Sequence, residues 1–158
     1  MLLEKDATAA VVAELWFAEP GASRDFAFMY YGTGLPPTSL DAADAVDSAF
    51  RRLAALASSG DPRATAILTD AARAIVVIVN LLDIDQVIFG GPFWLPIAPT
   101  VLAALPAAVR DDPALVLPHP IRFAESAVPV DVAAVGAATL VLDNTFSPRP
   151  SALLLAAD

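Results

Sequence analysis

Two short glycine segments carry the residue types most suited to holding a ligand. Gly32-Thr33-Gly34 follows the aromatic run Phe26–Tyr31. Its backbone N–H groups and hydroxyl can face a phosphate, or the segment is a turn that ends a strand. Gly90-Gly91 ends a second apolar run, where the missing Cβ atoms let backbone approach a ligand or simply stop the strand. Both segments suit a nucleotide- or sugar-binding α/β domain.

Other reactive side chains are sparse. His119 is the single histidine and the chain has no cysteine, and one histidine with neither cysteine nor a carboxylate cluster nearby is not expected to form a zinc site. Neither a Ser-His-Asp order nor a convincing pair of carboxylates is present. Trp16 and Trp94 are candidate sugar-stacking platforms, but packing in a core or an interface is the favoured interpretation.

Apolar periodicity and capping residues predict the elements that position these residues. Asp61 followed by Pro62 is a strong helix start, and the helix runs to Leu82, apolar nearly all round and therefore buried on more than one side. Pro106 should kink or interrupt its helix, and Gly136 allows close backbone approach. Helices are predicted over 7–17, 40–58 (capped by Ser39), 62–82, 98–109 and 132–143, and strands over 26–31, 86–89 and 121–126.

Composition limits the class of protein. The 158 residues predict one domain, 1–158. The net charge of −9 argues against direct nucleic-acid binding. The longest apolar runs, 74–82 and 132–142, fall short of the ~20 residues that span a membrane. Together with the absence of cysteine, this indicates a cytoplasmic protein that does not bind membranes.

Four segments, in order, resemble the ROK family of sugar kinases and sugar-responsive transcriptional repressors. Residues 6–14 (DATAAVVAE) are similar to the family's NDANAAALAE, and 32–34 to the start of its GTGxGxG loop. Residues 77–91 (VIVNLLDIDQVIFGG) resemble VVNLLDPxxVVxGG, and 131–138 (DVAAVGAA) resemble a later family segment. The resemblance covers about residues 5–146. It implies an α/β fold with helices on both faces of a small sheet, namely a ribonuclease-H-like lobe of the actin-like ATPase fold.

The chain also departs from the family pattern. The family's GExGH segment, which holds sugar hydroxyls, and its cysteine cluster for zinc have no counterpart after Gly34. The DxGGT phosphate loop of the other lobe and a winged-helix DNA-binding domain are likewise missing. The expected fold is therefore a truncated, incomplete lobe, without zinc.

The resemblance assigns roles to individual residues. Asp6 matches the carboxylate that accepts the sugar hydroxyl proton in family kinases; the alternative, favoured because the other catalytic parts are missing, is a helix N-cap. If kinase activity remains, ATP and Mg²⁺ are its cofactors. The segments Gly32-Thr33-Gly34 and Gly90-Gly91 would then face the nucleotide, although the glycines that extend the first loop in the family are gone.

Three functions follow as hypotheses. The first is a non-catalytic ROK-type protein, related to sugar-responsive regulators, with weak or lost sugar or nucleotide binding. The second is an ATP-dependent hexose kinase of the glucokinase type, completed by another chain. The third is an interaction module whose sheet edge and apolar surface pair with a second copy or a partner chain.

Overall fold

The computed structural model describes residues 6–18, 25–32 and 40–146 of the chain. In these ranges the protein is α/β, with five helices around a sheet of three parallel strands. The elements, in chain order, are α1 (Asp6–Phe17), β1 (Phe26–Tyr30), α2 (Leu40–Ser58), α3 (Pro62–Leu82), β2 (Gln86–Gly90), α4 (Ala98–Arg110), β3 (Arg122–Glu125) and α5 (Val132–Phe146). The predicted class and elements are confirmed, but α4 continues through Pro106 without interruption.

The sheet is ordered β1-β2-β3, with each neighbouring pair parallel. Every residue of the central strand β2 is buried, as its continuous apolar sequence predicts. The register pairs Tyr30 with Gly90 and Phe89 with Glu125. The carboxyl ends of the three strands therefore meet at one edge of the sheet.

Helix α3 begins and ends as its flanking residues dictate. The Asp61 side chain accepts a hydrogen bond from the Arg63 backbone N–H at 2.8 Å, and Pro62 occupies the first turn. At the other end Asp83 adopts the left-handed conformation, with φ 53° and ψ 42°, and its N–H donates to the Val79 carbonyl. This reversal directs the chain into β2 after only three residues.

The larger core lies between one face of the sheet and helices α2, α3 and α4. The Phe89 ring stacks on Trp94 at 5.2 Å between centroids, with the planes only 8° apart, and Tyr31 lies 5.1 Å from Trp94. Trp94 is fully buried, which confirms the core interpretation for this residue. Trp16, by contrast, is exposed on α1.

A smaller core covers the opposite face of the sheet. Ala10 and Ala13 of α1 pack with Val132 of α5 over the aromatic side chains of β1. A Cβ on Gly136 would overlap the Ala9 carbonyl, so the two helix backbones are in direct contact, as predicted for Gly136. Helices therefore cover both faces of the sheet.

Helix α3 is buried along one side only. Its core residues include Ile75, Val76 and Val79, whereas Ile67, Val77 and Leu81 are 52%, 64% and 78% exposed. The prediction that this helix is buried on more than one side is wrong. In the part of the chain that the structure describes, α3 alone has the length and composition of a helix that can cross a membrane, although the shorter apolar runs in the sequence had argued against such a segment.

Candidate functional site

The carboxyl edge of the sheet is the candidate site, because parallel α/β sheets bind ligands there. Gly32 follows β1, Gly90-Gly91 ends β2, and Ser126 follows β3. The structure thus places Gly32 from the first glycine segment and Gly90-Gly91 from the second at the same edge of the sheet. Thr33 and Gly34 lie outside the described residues.

Gly91 is packed against the chain's own backbone. Its φ is +124°, and a Cβ would lie 2.6 Å from the Tyr31 carbonyl oxygen and 2.8 Å from the Tyr31 nitrogen. The Gly91 N–H donates to the Pro129 carbonyl at 2.7 Å. Glycine is required here to let segments following all three strands meet.

Gly90 and Gly32 are similarly enclosed. A Cβ on Gly90 would lie 2.9 Å from Phe28 Cζ and 3.0 Å from Ser126 Cβ, and the Gly90 carbonyl accepts from the Tyr31 N–H at 2.8 Å. A Cβ on Gly32 would overlap the Tyr30 ring. The space beside each described glycine at this edge is therefore taken by protein atoms.

A buried carboxylate lies at the carboxyl end of β3. Glu14 of α1 is only 5% exposed. Its Oε2 accepts from the Ser126 hydroxyl at 2.7 Å and from the Ala127 N–H at 3.1 Å, and Ser126 Oγ in turn accepts from the Val128 N–H at 3.2 Å. This network ties α1 to the end of β3 and to the segment that leads into α5.

Sequence reasoning missed the pair formed by Glu14 and Ser126. Glu14 is the last residue of the segment that begins at Asp6, and Ser126 ends the predicted third strand. A buried acid in an otherwise Ala-rich helix needs a hydrogen-bonding partner. The identity of that partner, 112 residues along the chain, depends on the tertiary fold.

Two other polar side chains lie near this edge. Glu125 Oε1 accepts from the Trp94 indole Nε1–H at 2.8 Å. Burial raises the pKa of Tyr31 to about 12 from its usual 10.0, so its hydroxyl keeps its proton at neutral pH and supplies no general base there.

Asp6 is placed away from this network. It is the first residue of α1, and eight residues separate it from Glu14, which corresponds to about 12 Å along a helix. Among the described side chains of α1, Glu14 is the one that bonds at the carboxyl edge, and the role of Asp6 stays a prediction. The Asp6 side chain lies outside the described part of the structure.

The amino edge of the sheet holds a second polar cluster. A cavity of about 370 Å³ is lined there by Asp25, Asp83, Asp85, His119 and Arg122, together with Pro120. His119 Nε2 lies 3.2 Å from Asp83 Oδ1. Across residues 6–18, 25–32 and 40–146, no group of three or more acidic, histidine or cysteine side chains has an arrangement that could hold a metal ion.

An open groove of about 480 Å³ lies between α2, α3 and α4. Four alanines contribute to its walls, and its hydroxyls include Ser58, Thr65 and Thr69. Ser58 donates to the Ala54 carbonyl at 2.9 Å and Thr69 to the Thr65 carbonyl at 2.8 Å. These two hydroxyls therefore donate to their own helices rather than into the groove.

A scan against protein-family models finds no match to this chain, and a search of curated proteins finds none either.

Proposed function

We propose that this chain is a non-catalytic cytoplasmic protein of the ROK kind, related to sugar-responsive regulators, in which sugar and nucleotide binding is weak or lost. The four sequence segments support the relationship. So does the position of Gly32 and Gly90-Gly91, which belong to two of these segments, at the carboxyl edge of a parallel sheet with helices on both faces. We also propose that the fold is an incomplete ribonuclease-H-like lobe of the actin-like ATPase type.

The packing of Gly91 is the main observation in favour of a non-catalytic function. A glycine that serves a nucleotide leaves open space for the ligand beside its Cα. Here the Tyr31 carbonyl oxygen and nitrogen take that space, and the Gly91 N–H is already bonded to Pro129. Ligand binding at this turn would require the ends of β1 and β2 to separate.

A phosphotransferase also needs groups that neutralise the transferred phosphoryl charge. The carboxyl edge instead presents Glu14 and Glu125, both engaged in hydrogen bonds within the protein. Anionic side chains repel a triphosphate unless a cation intervenes. This arrangement favours a non-catalytic function over a kinase activity.

A coupled assay with ATP, Mg²⁺ and a panel of hexoses tests the assignment. We expect no turnover above background, and the same result for Asp6→Ala. Turnover with any hexose that Asp6→Ala abolishes would establish the rival function, an ATP-dependent hexose kinase of the glucokinase type.

A thermal-shift screen tests ligand binding separately from catalysis. Native-state ligands stabilise a protein by about 2.7 kcal/mol at 100 times Kd, which corresponds to a shift of several degrees for a small domain. We expect shifts below about 1 °C with millimolar sugars, ATP or ADP. A shift of several degrees with one of them would show that the site is still functional.

A further inference from the structure

The exposed side of α3 carries a regular line of residues, here called the outer line. The line runs on the side of the helix opposite its core residues, and all six members are exposed. Its members are Arg63, Ile67, Asp70, Ala74, Val77 and Leu81. They are separated by alternating steps of four and three, the spacing with which one helix packs along another.

After Arg63, the stretch of the outer line from Ile67 to Leu81 is apolar at both ends. Ile67 lies towards the start of α3, and Val77 and Leu81 lie towards its end, each more than half exposed. Val116, also exposed, is held beside this end because its N–H donates to Asn80 Oδ1 at 3.1 Å. Large aliphatic side chains repeated along one helix face indicate a surface that another helix covers.

The charges lie in the middle of the line. Asp70 belongs to it, and Arg73, one helical turn away, approaches Asp70 Oδ1 at 3.4 Å through Nη1. From Ile67 to Leu81 the order along the helix is therefore apolar, acidic, basic, apolar. This order complements itself when a second copy of the helix runs in the opposite direction.

We propose that the outer line of α3 is the interface of a homodimer, in which α3 of a second copy packs antiparallel across a twofold axis near residue 72. In this arrangement Ile67 faces Val77 of the second copy, and Asp70 faces Ala74. Each Arg73 then lies beside Asp70 of the second copy. A twofold axis makes every such contact occur twice.

The charges favour this orientation over a parallel pair. In a parallel pair Asp70 would face its own equivalent, and like charges brought together across an interface are unfavourable. The antiparallel pair instead alternates acidic and basic groups at its centre. The dimer does not depend on whether the carboxyl edge of the sheet binds a ligand.

The same features argue against a lipid bilayer as the partner of this face. Asp70 and Arg73 lie near the middle of the helix, where charged side chains are most costly in a membrane. Ile75, Val76 and Val79 on the opposite face belong to the larger core, so insertion of α3 would dismantle that core.

Disulfide cross-linking of the full chain tests the geometry directly, because the chain has no cysteine. A mixture of Ile67→Cys and Val77→Cys should form a disulfide-linked heterodimer on mild oxidation. Neither variant alone should cross-link efficiently, since the two copies of position 67 are about 15 Å apart along the helix axis and a disulfide requires Cα atoms within about 7 Å. Efficient cross-linking of Ile67→Cys alone would overturn the antiparallel arrangement.

Sedimentation velocity over a concentration series tests the association itself. We expect a reversible dimer at concentrations on the order of 100 µM, suited to a small interface. Val77→Glu should weaken it by about tenfold or more, because it buries an unpaired charge. The matched control Val141→Glu, at an exposed valine of α5, should leave it unchanged, and circular dichroism checks that both variants fold.

Charge reversal distinguishes the orientation by a second route. Asp70→Arg and Arg73→Asp should each weaken the dimer, and the double variant should restore it, because reversing both members preserves the alternation. A wild-type chain that stays monomeric overturns the proposal, as does a dimer insensitive to Val77→Glu. Binding to phosphatidylcholine vesicles through this face, without a dimer in solution, would overturn it in favour of a membrane partner.

Discussion

At the scale of single residues, Gly91 determines how closely the ends of the strands approach each other. Its positive φ excludes most side chains, and Tyr31 fills the position of a Cβ. The same residue that resembles part of a ligand site is therefore needed for folding. A sequence pattern alone does not separate these two uses of a glycine.

Gly91→Ala should be strongly destabilising. Backbone strain costs about 1–3 kcal/mol and overpacking against Tyr31 adds about 1–3 kcal/mol. Gly60→Ala is the matched control, because Gly60 also has a positive φ, +72°, but nothing lies within 4 Å of its Cβ position. Urea denaturation should show a clearly larger loss for Gly91→Ala. Equal losses would mean that the space beside Gly91 is open.

Glu14 should couple energetically to Ser126. Glu14→Ala leaves the Ser126 hydroxyl and the Ala127 N–H without their acceptor, which should lower the free energy of unfolding by about 1–3 kcal/mol. The double variant with Ser126→Ala should lose less than the sum of the two single variants, because one donor disappears with its acceptor. Additive losses in urea denaturation would contradict the hydrogen bond.

At the scale of elements, α3 shows what local sequence does and does not determine. Its cap at Asp61, its proline and its length were predicted because those signals act within one helical turn. The burial of α3 was not predicted correctly, because the number of neighbours around an apolar helix depends on the whole fold. In α4, Pro106 has no backbone N–H to donate to the helix. The helix nevertheless continues, because Leu105 and Val109 are buried in the larger core.

The Asp61 cap should make stability depend on pH. The Arg63 side-chain hydrogen bond, followed by its backbone N–H, lowers the pKa of Asp61 from 3.8 to about 2. The depressed pKa in the folded state stabilises the protein above pH 3.8, and this contribution is lost as the pH falls towards 2. The Tm difference between wild type and Asp61→Asn should therefore shrink over that range.

Asp44→Asn on α2 is the control for this experiment, since Asp44 is exposed and lies within its helix rather than at the cap. A Tm difference between wild type and Asp61→Asn that stays constant from pH 5 to pH 2 would contradict the role of the cap.

At the scale of the whole molecule, the two faces of the sheet differ in how firmly they are held. Among the residues that the structure describes, thirteen buried ones form the larger core, whereas three form the smaller one, two of them alanines. Burial of apolar area contributes most of the stability. The layer of α1 and α5 should therefore open before the layer of α2, α3 and α4.

Hydrogen exchange should show this order. Amides of β2 and α3 should exchange last and those of α1 and α5 earlier, because exchange follows the free energy of local opening. Gly136→Ala, which forces α5 away from the Ala9 carbonyl, should accelerate exchange in α1 and α5 more than in α3. Uniform acceleration would mean that both cores open together.

The three-stranded sheet and its helices follow from periodicity and turn residues, so the sequence predicted the elements of the fold well. Gly32 and Gly90-Gly91 come at the carboxyl ends of β1 and β2, as the predicted strand ends imply. The closure of that edge was not predictable, because the contacts of Gly91 with Tyr31 and of Glu14 with Ser126 join residues distant in the chain. The tertiary fold determines whether a ligand or a neighbouring segment of the chain occupies the space beside a glycine.

The pairing of α1 with α5 has a mechanical consequence. Ala9 contacts Gly136, and Glu14 reaches the residues just before α5, so the first and last described helices run antiparallel. Tension applied to the outer ends of these two helices would unzip them turn by turn, loading one contact at a time, and would reach the parallel sheet only afterwards. In an optical trap the molecule should yield first in a short, low-force extension and then rupture at higher force.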